Sequence, residues 1–125
     1  VRASPEDPGA HFALGLALVR SGDRDAALDA LRTAVSLAPD APHYRYVVGV
    51  ALNGMGDGQS ARAYLRKAHA QFPGHRETLA ALTTFYRDER DYRGALHFAK
   101  KLEALSPDDP AVQSLRRELE AAARQ

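Results

Sequence analysis

Apolar and small residues recur at intervals of three and four along short stretches of this chain, the spacing that places them on one face of an α-helix. The first stretch includes Leu14 and Leu18, and the second includes Ala27, Leu31 and Val35. Between them, a Ser-Gly-Asp step supplies a helix stop, a turn and a side chain that can cap the next helix. The pattern therefore predicts two helices joined by a short turn.

The same hairpin pattern returns every 34 residues. Three sets of residues keep that interval: Pro5, Pro39, Pro73 and Pro107; Asp23, Asp57 and Asp91; Ala27, Ala61 and Ala95. A fixed period of this length is typical of units that cannot bury their apolar faces alone and must stack on their neighbours. The fold is therefore predicted to be all-α, an array of helix hairpins with about seven helices.

The recurring prolines also divide the sequence into segments. Pro39, Pro73 and Pro107 each close a complete repeat, whereas Pro5 closes one that is absent, so the chain is expected to be a fragment of a longer array. The last segment carries one apolar stripe on an otherwise charged helix, which suits a terminal helix with one face packed and the other in water. The predicted segments are the tail of an upstream repeat (1–7), three repeats (8–41, 42–75 and 76–109) and a C-terminal capping helix (110–125).

Small residues at fixed positions of each hairpin allow its two helices to cross closely. With them, the chain resembles tetratricopeptide repeats, in which Leu-Gly stands between large residues on the first helix and Ala precedes a bulky residue on the second. The matching residues are His11, Leu14, Gly15, Leu18, Ala27, Leu31, Ala34 and Pro39 in the first repeat, and Arg45, Val48, Gly49, Leu52, Ala61, Leu65, Ala68 and Pro73 in the second. The resemblance covers residues 8–109.

The third repeat departs from the family pattern at four positions. Thr83 stands where glycine is usual on the first helix, and Arg90 stands where the turn glycine is usual. Ala99 occupies the bulky position of the second helix and Leu102 a small one, so we expect Phe98 to fill the volume that Ala99 leaves. These departures bear on the packing of the third hairpin, not on its existence.

The resemblance implies a right-handed superhelix, an α-solenoid, whose first helices line a concave groove that binds a peptide or protein. Tyr46 and His43 are the favoured binding residues because they sit in the middle of the array and offer large ring surfaces. For the apolar residues of the first helix, packing against an upstream repeat is the alternative. The favoured groove residues are Phe12, Leu16, Val19, His43, Tyr46, Val50, Asn53, Thr84 and Arg87, and the same geometry also places Arg20, Glu77, Ala80 and Asp88 in the groove.

Some family members hold acidic C-terminal peptides in a clamp of Lys, Asn, Asn, Lys and Arg on successive first helices. The corresponding residues here are Phe12, Leu16, Val47, Glu77 and Ala81, so none of the five is kept. A receptor for chaperone tails of that kind is therefore disfavoured.

Composition narrows the function classes further. A net charge of +1 gives no strong field for attracting nucleic acid, and the longest apolar stretch, residues 12–19, is far shorter than the about 18 residues of a membrane-spanning helix. The chain has no cysteine, and its five histidines include no pair four residues apart, so no metal or other cofactor is expected. Without a nucleophile-elbow or phosphate-loop motif, the segment is predicted to be non-catalytic.

A basic patch is predicted on the second helices. A solvated surface is its favoured interpretation, because nucleic-acid binding calls for more charge and for interleaved aromatic residues. The residues concerned are Arg62, Arg66, Lys67, Lys100 and Lys101.

The leading hypothesis is a scaffold that docks a peptide or a folded protein. One alternative is a structural module that stacks end to end into a homo-oligomer through exposed repeat ends. A separate alternative concerns the last segment, which could be a truncated fourth repeat. That interpretation is disfavoured because Arg116 and Arg117 replace the expected leucine and glycine. Another is an accessory domain of a larger bacterial enzyme or multi-haem cytochrome. The chain is expected to be soluble, and its compartment stays open between cytoplasm and periplasm.

Overall fold

The structure is a computed structural model that describes residues 7–125, so Pro5 and most of the predicted upstream tail lie outside the described residues. The described part contains seven α-helices and no strand, which confirms the all-α prediction. The helices are α1 (Pro8–Ser21), α2 (Arg24–Leu37), α3 (Pro42–Gly54), α4 (Gly58–Gln71), α5 (Arg76–Asp88), α6 (Tyr92–Leu105) and α7 (Pro110–Ala123). The chain divides into two compact units, Val1–Tyr64 and Leu65–Gln125, and the boundary between them falls inside α4. The limits of the three repeats stay a prediction.

The recurring aspartates are helix N-caps. The side chains of Asp23, Asp57 and Asp91 each accept a hydrogen bond from the backbone N–H three residues later, at 3.4, 3.2 and 2.9 Å. Asp7 and Asp109 cap α1 and α7 by accepting from the backbone N–H two residues later, at 2.9 and 3.0 Å, and a proline occupies the first turn of both helices. Each cap satisfies a backbone donor that the helix leaves unpaired, worth about 1 kcal/mol, so the 34-residue interval marks helix starts.

The residue before Asp23, Asp57 and Asp91 takes a left-handed backbone conformation. Gly22 has φ 84° and Gly56 has φ 86°, and Arg90, at the corresponding place in the third hairpin, has φ 63°. The next residue, Asp23, then donates its N–H to the Leu18 carbonyl at 3.0 Å, and the other two turns close in the same way. The turn geometry is thus kept where the glycine is not, at the cost of a side chain in a region that glycine prefers.

We expect Arg90→Gly to raise the free energy of unfolding by about 0.5–1 kcal/mol. A left-handed residue with a Cβ is strained by about 1–2 kcal/mol, and the greater freedom of glycine in the unfolded chain cancels only part of the relief. Urea unfolding measures the change. The matched control is Gly56→Arg, which should destabilise by a similar amount because open space surrounds the Cβ position and only the backbone is strained. Destabilisation by Arg90→Gly would contradict this account.

In the first unit, α1 crosses α2 at Gly15. A Cβ added there would lie 2.6 Å from the Cγ and Cδ2 atoms of Leu31, which is itself 1% exposed. Gly15 is buried, whereas Leu14, which the pattern places on the packing face of α1, is 52% exposed. The contact with α2 is thus made through the glycine and not through the leucine beside it.

In the second unit, α5 packs on α6 and α6 packs on α7. Thr83 is fully buried, and its hydroxyl donates a 2.8 Å hydrogen bond to the Leu79 carbonyl. Ala99 is also fully buried, in a cluster with Leu119 of α7. Phe98 beside it is 7% exposed and stacks at 5.4 Å on Tyr86, so a ring does occupy the interior next to the small alanine.

An ion-pair network attaches α7 to α6. The Arg116 guanidinium lies 3.0 Å from Glu103 on α6 and 3.0 Å from Glu120 on its own helix. The hydrogen bond from Arg116 to Glu103 is the largest cause of a raised Arg116 pKa. Arg116 therefore binds the last helix to its neighbour, which the sequence pattern, placing it on the charged solvent face, did not predict.

Candidate functional site

Four rings gather on the facing parts of α1 and α3 in the first unit. The ring centroid of Phe12 lies 5.6 Å from that of His43 and 5.0 Å from that of Tyr44, at interplanar angles of 57° and 56°. His43 also lies 6.1 Å from Tyr46. These separations and tilts are those of favourable aromatic pairs. We term Phe12, His43, Tyr44 and Tyr46 the aromatic patch.

The local sequence explains how the patch is positioned. Pro42 begins α3, so His43 lies in the first turn, and Tyr46 follows three residues later on the same side of the helix. His43 is exposed, while the other three rings of the patch are half-buried. The patch therefore has a supported base and a solvent-facing edge.

Four other predicted groove residues extend the patch along the same two helices. On α1, Leu16 and Val19 follow Phe12 at helical spacing and are half-buried; on α3, Val50 is 39% exposed and Asn53 is exposed. Neither α1 nor α3 contains an aspartate or a glutamate. The surface is thus aromatic and aliphatic with polar ends, and it carries no carboxylate of its own.

Tyr44 is a member of the patch that the sequence did not reveal. It lies one residue after His43 and two before Tyr46, so it falls outside the face of the helix on which the resemblance places the other two. Its ring nevertheless makes the shortest contact of the patch, 5.0 Å to Phe12. The signal for it was the density of rings over residues 43–46, not their period.

The predicted groove residues of the second unit are not brought together in the same way. A cleft of about 240 Å³ opens between α5, α6 and α7, and its lining is mostly apolar. Arg76 at its rim forms an ion pair of 3.5 Å with Asp109. Thr84 is half-buried and Arg87 pairs with Asp88 at 3.6 Å, and neither lines the cleft. The lining residues are Arg76, Glu77, Ala80, Leu102 and Val112.

Titratable side chains elsewhere have structural surroundings. His75 Nδ1 lies 2.7 Å from the Thr78 hydroxyl. Burial raises the pKa of the Tyr64 phenol, an effect that Arg45 and Arg32 partly oppose. Within residues 7–125, no group of three or more His, Asp or Glu side chains is arranged to hold a metal ion. In that same range, every helix is too short or too polar to span a bilayer.

Known structures with the same fold were found across the whole length of the chain. The first TPR domain of Spaghetti (RPAP3), bound to the HSP90 peptide SRMEEVD, is 13% identical with a TM-score of 0.77, and 98% of this chain and 100% of that chain are covered. The Sgt2 TPR domain from Aspergillus fumigatus is 20% identical with a TM-score of 0.76, covering 97% and 81%. MamA from Desulfovibrio magneticus RS-1 is 20% identical with a TM-score of 0.77, covering 98% and 68%. At these identities the likeness shows the fold alone.

Family models give the assignment that the fold alone does not. No significant match was found among curated protein sequences. Two models, each described as tetratricopeptide repeat, match residues 12–76 and residues 52–119. Each match spans more than half of the chain, and the two overlap in its middle. The protein therefore belongs to the tetratricopeptide repeat family.

Proposed function

We propose that this protein is a non-catalytic interaction scaffold and that the aromatic patch is the main docking site for a peptide or protein partner. The observation that carries the proposal is the cluster of four rings, in which each ring centroid lies within 6.4 Å of at least one other. The cluster is exposed at His43. Rings of this kind supply large contact areas with few rotatable bonds, which is why they dominate binding energies at interfaces. Membership of a family whose neighbours include a peptide-bound structure supports the same role.

The chemistry of the surface indicates what the partner offers. Phe12, Leu16 and Val19 on α1 favour an apolar anchor, and Asn53 at the end of α3 provides a hydrogen-bonding amide. Because both helices lack carboxylates, a cationic segment would find no counter-charge on them. An extended or helical segment with an aliphatic or aromatic anchor and neutral or acidic flanks fits best.

A partner with the tail of HSP90 is disfavoured. The clamp residues that hold such tails in some relatives are replaced here by apolar side chains on α1, where Phe12 and Leu16 stand. Phe12 is instead committed to ring contacts with His43 and Tyr44. The proposed site thus recognises its partner by an apolar anchor and not by a terminal carboxylate.

Substitution of the two solvent-side rings tests the proposal. Peptides selected on the immobilised protein from a displayed random library are titrated against the wild type and against His43→Ala/Tyr46→Ala by isothermal calorimetry. We expect the double variant to bind about tenfold more weakly or worse, since truncation of a central ring at an interface costs more than about 1 kcal/mol. Circular dichroism melting establishes that both proteins are folded.

His97→Ala is the matched control, because His97 is also an exposed histidine in contact with a ring, at 5.0 Å from Phe98, but lies on α6. It should leave the affinity unchanged. Selected peptides whose binding is the same for the wild type and the double variant would remove the aromatic patch from consideration. Equal losses in the double variant and in the His97 control would do so as well.

A further inference from the structure

Two adjacent pairs of cations stand at corresponding positions of α4 and α6. Arg66 and Lys67 lie on α4, and Lys100 and Lys101 follow 34 residues later on α6. All four side chains are exposed, and all four belong to the second unit. We term these four residues the basic face. The corresponding positions of α2 hold Arg32 and Thr33. Among α2, α4 and α6, only α4 and α6 therefore carry two adjacent cations at these positions.

Among the described residues, no carboxylate forms an ion pair with the basic face. α4 contains no aspartate or glutamate, and the single acidic residue of α6 is Glu103. Both oxygens of Glu103 already accept hydrogen bonds from Arg116, at 3.0 and 3.4 Å. Within residues 7–125, the four cations take part in no ion pair. Solvated helix faces usually intersperse both signs of charge, and this one does not.

A ring contact in the second unit brings α4 and α6 together near the basic face. The ring of His69 on α4 meets that of Phe98 on α6 edge-on at 6.1 Å. The pKa of His69 is lowered, first by burial and then by the positive charges of Lys101 and His97 on α6. Lys101 on α6 therefore lies close enough to α4 to act on a side chain there.

We propose that the basic face is a second docking surface, which binds an acidic protein segment through Arg66, Lys67, Lys100 and Lys101. Cations at fixed helical positions can pair with carboxylates spaced along one partner segment, and an uncancelled charged surface accelerates the encounter as well as strengthening it. This surface shares no residue with the aromatic patch. Its partner is a run of aspartates and glutamates, whereas the aromatic patch takes an apolar anchor.

The residues around the cations favour a protein segment over other anions. The exposed neighbours Ala70 and Ala104 are too small to insert into a bilayer, and four cations near an anionic membrane supply only about 4 kcal/mol. Neither α4 nor α6 presents an exposed Phe, Tyr or Trp that could stack on unpaired bases. An acidic segment needs neither insertion nor stacking.

Binding of defined probes tests the proposal. A fluorescently labelled peptide of Glu-Ser repeats is titrated against the full chain by fluorescence anisotropy, beside a peptide of Gln-Ser repeats. We expect only the glutamate peptide to bind, and its affinity should fall about tenfold or more between about 50 and about 300 mM salt. Lys100→Glu/Lys101→Glu should also lower the affinity about tenfold, and Lys100→Gln/Lys101→Gln should lower it less.

Arg117→Glu/Arg124→Glu, which changes the net charge by the same amount at two exposed positions of the C-terminal segment, is the control and should keep the wild-type affinity. Equal losses in both charge-reversed variants would overturn the proposal, since net charge alone would then explain binding. Tighter binding to phosphatidylserine vesicles or to oligothymidine than to the glutamate peptide would also overturn it. If charge reversal impairs folding, the glutamine pair decides: unchanged affinity in that folded variant contradicts the basic face.

Discussion

Truncation of Leu31 to alanine is expected to lower the free energy of unfolding by about 2–5 kcal/mol, the range for leucines removed from closed interiors. Leu31 is 1% exposed, and its outer carbons lie against the backbone of Gly15 on α1. The substitution leaves a cavity between α1 and α2 that the two helices can close only in part. Urea unfolding followed by circular dichroism measures the loss.

The effect of Gly15→Ala on the free energy of unfolding should change sign with the residue at position 31. In the wild type the new Cβ lies 2.6 Å from two Leu31 atoms, and overpacking of about 1–3 kcal/mol outweighs the helix propensity of about 1 kcal/mol that alanine gains over glycine. With alanine at position 31 those two atoms are gone, and the tightest remaining contact is 3.3 Å to the Ala27 carbonyl oxygen. The added methyl group then fills part of the cavity and should stabilise the protein.

Gly54 supplies the control for this pair. It is also helical, but a Cβ built there has no neighbour within 4 Å, so Gly54→Ala should have one sign in both backgrounds. If Gly15→Ala and Leu31→Ala instead add independently, the close crossing of α1 and α2 is not what requires the glycine.

The helix positions could be predicted because local chemistry sets them. Capping aspartates and prolines in first turns act within a few residues, so their interval along the chain translates directly into helix starts. Arg90 shows the limit of this reasoning. The sequence marked it as a departure from the turn glycine, but only the structure shows that the backbone keeps φ 63° there and leaves the turn unchanged.

Tertiary contacts were less predictable from periodicity. Leu14 and Gly15 are adjacent, and a helical period cannot decide which of two neighbours meets the partner helix. The same limit applied to Tyr44, whose ring contacts Phe12 across two helices. Membership of the aromatic patch depends on how α1 and α3 pack, whereas the groove predictions followed one face of each helix separately.

The cleft of the second unit shows the converse limit. Glu77 and Ala80 were predicted to lie in the groove, which stays a prediction. In the structure they line the cleft, and Leu102 and Val112 complete that lining from α6 and α7. A pattern confined to first helices cannot identify a lining that three helices share. Thr84 and Arg87 stay predictions as binding residues.

The third hairpin exchanges large and small residues at the crossing that Gly15 and Leu31 form in the first. Two periods of 34 residues separate Gly15 from Thr83 and Leu31 from Ala99, so the two pairs occupy corresponding positions. Leu31, Thr83 and Ala99 are at most 1% exposed, and Gly15 is buried as well. A larger residue on one helix with a smaller one on the other keeps the combined volume roughly constant, which cores tolerate better than a change on one side. We infer from this correspondence that two of the departures from the family pattern, at Thr83 and Ala99, compensate for each other.

Ala99→Leu alone is accordingly expected to destabilise the protein by about 1–3 kcal/mol, because Ala99 is fully buried in a cluster with Leu119 of α7 and the larger side chain overpacks that cluster. Thr83→Gly alone removes the hydrogen bond to the Leu79 carbonyl and costs about 0.3 kcal/mol of helix propensity, since threonine is itself a poor helix former. The double variant restores the arrangement of the first hairpin and should be more stable than the sum of the two losses by at least about 1 kcal/mol. We expect the double variant to stay less stable than the wild type, because Leu119 still opposes the larger side chain. A coupling energy near zero between the two substitutions, measured by urea unfolding, would contradict the proposed compensation between Thr83 and Ala99.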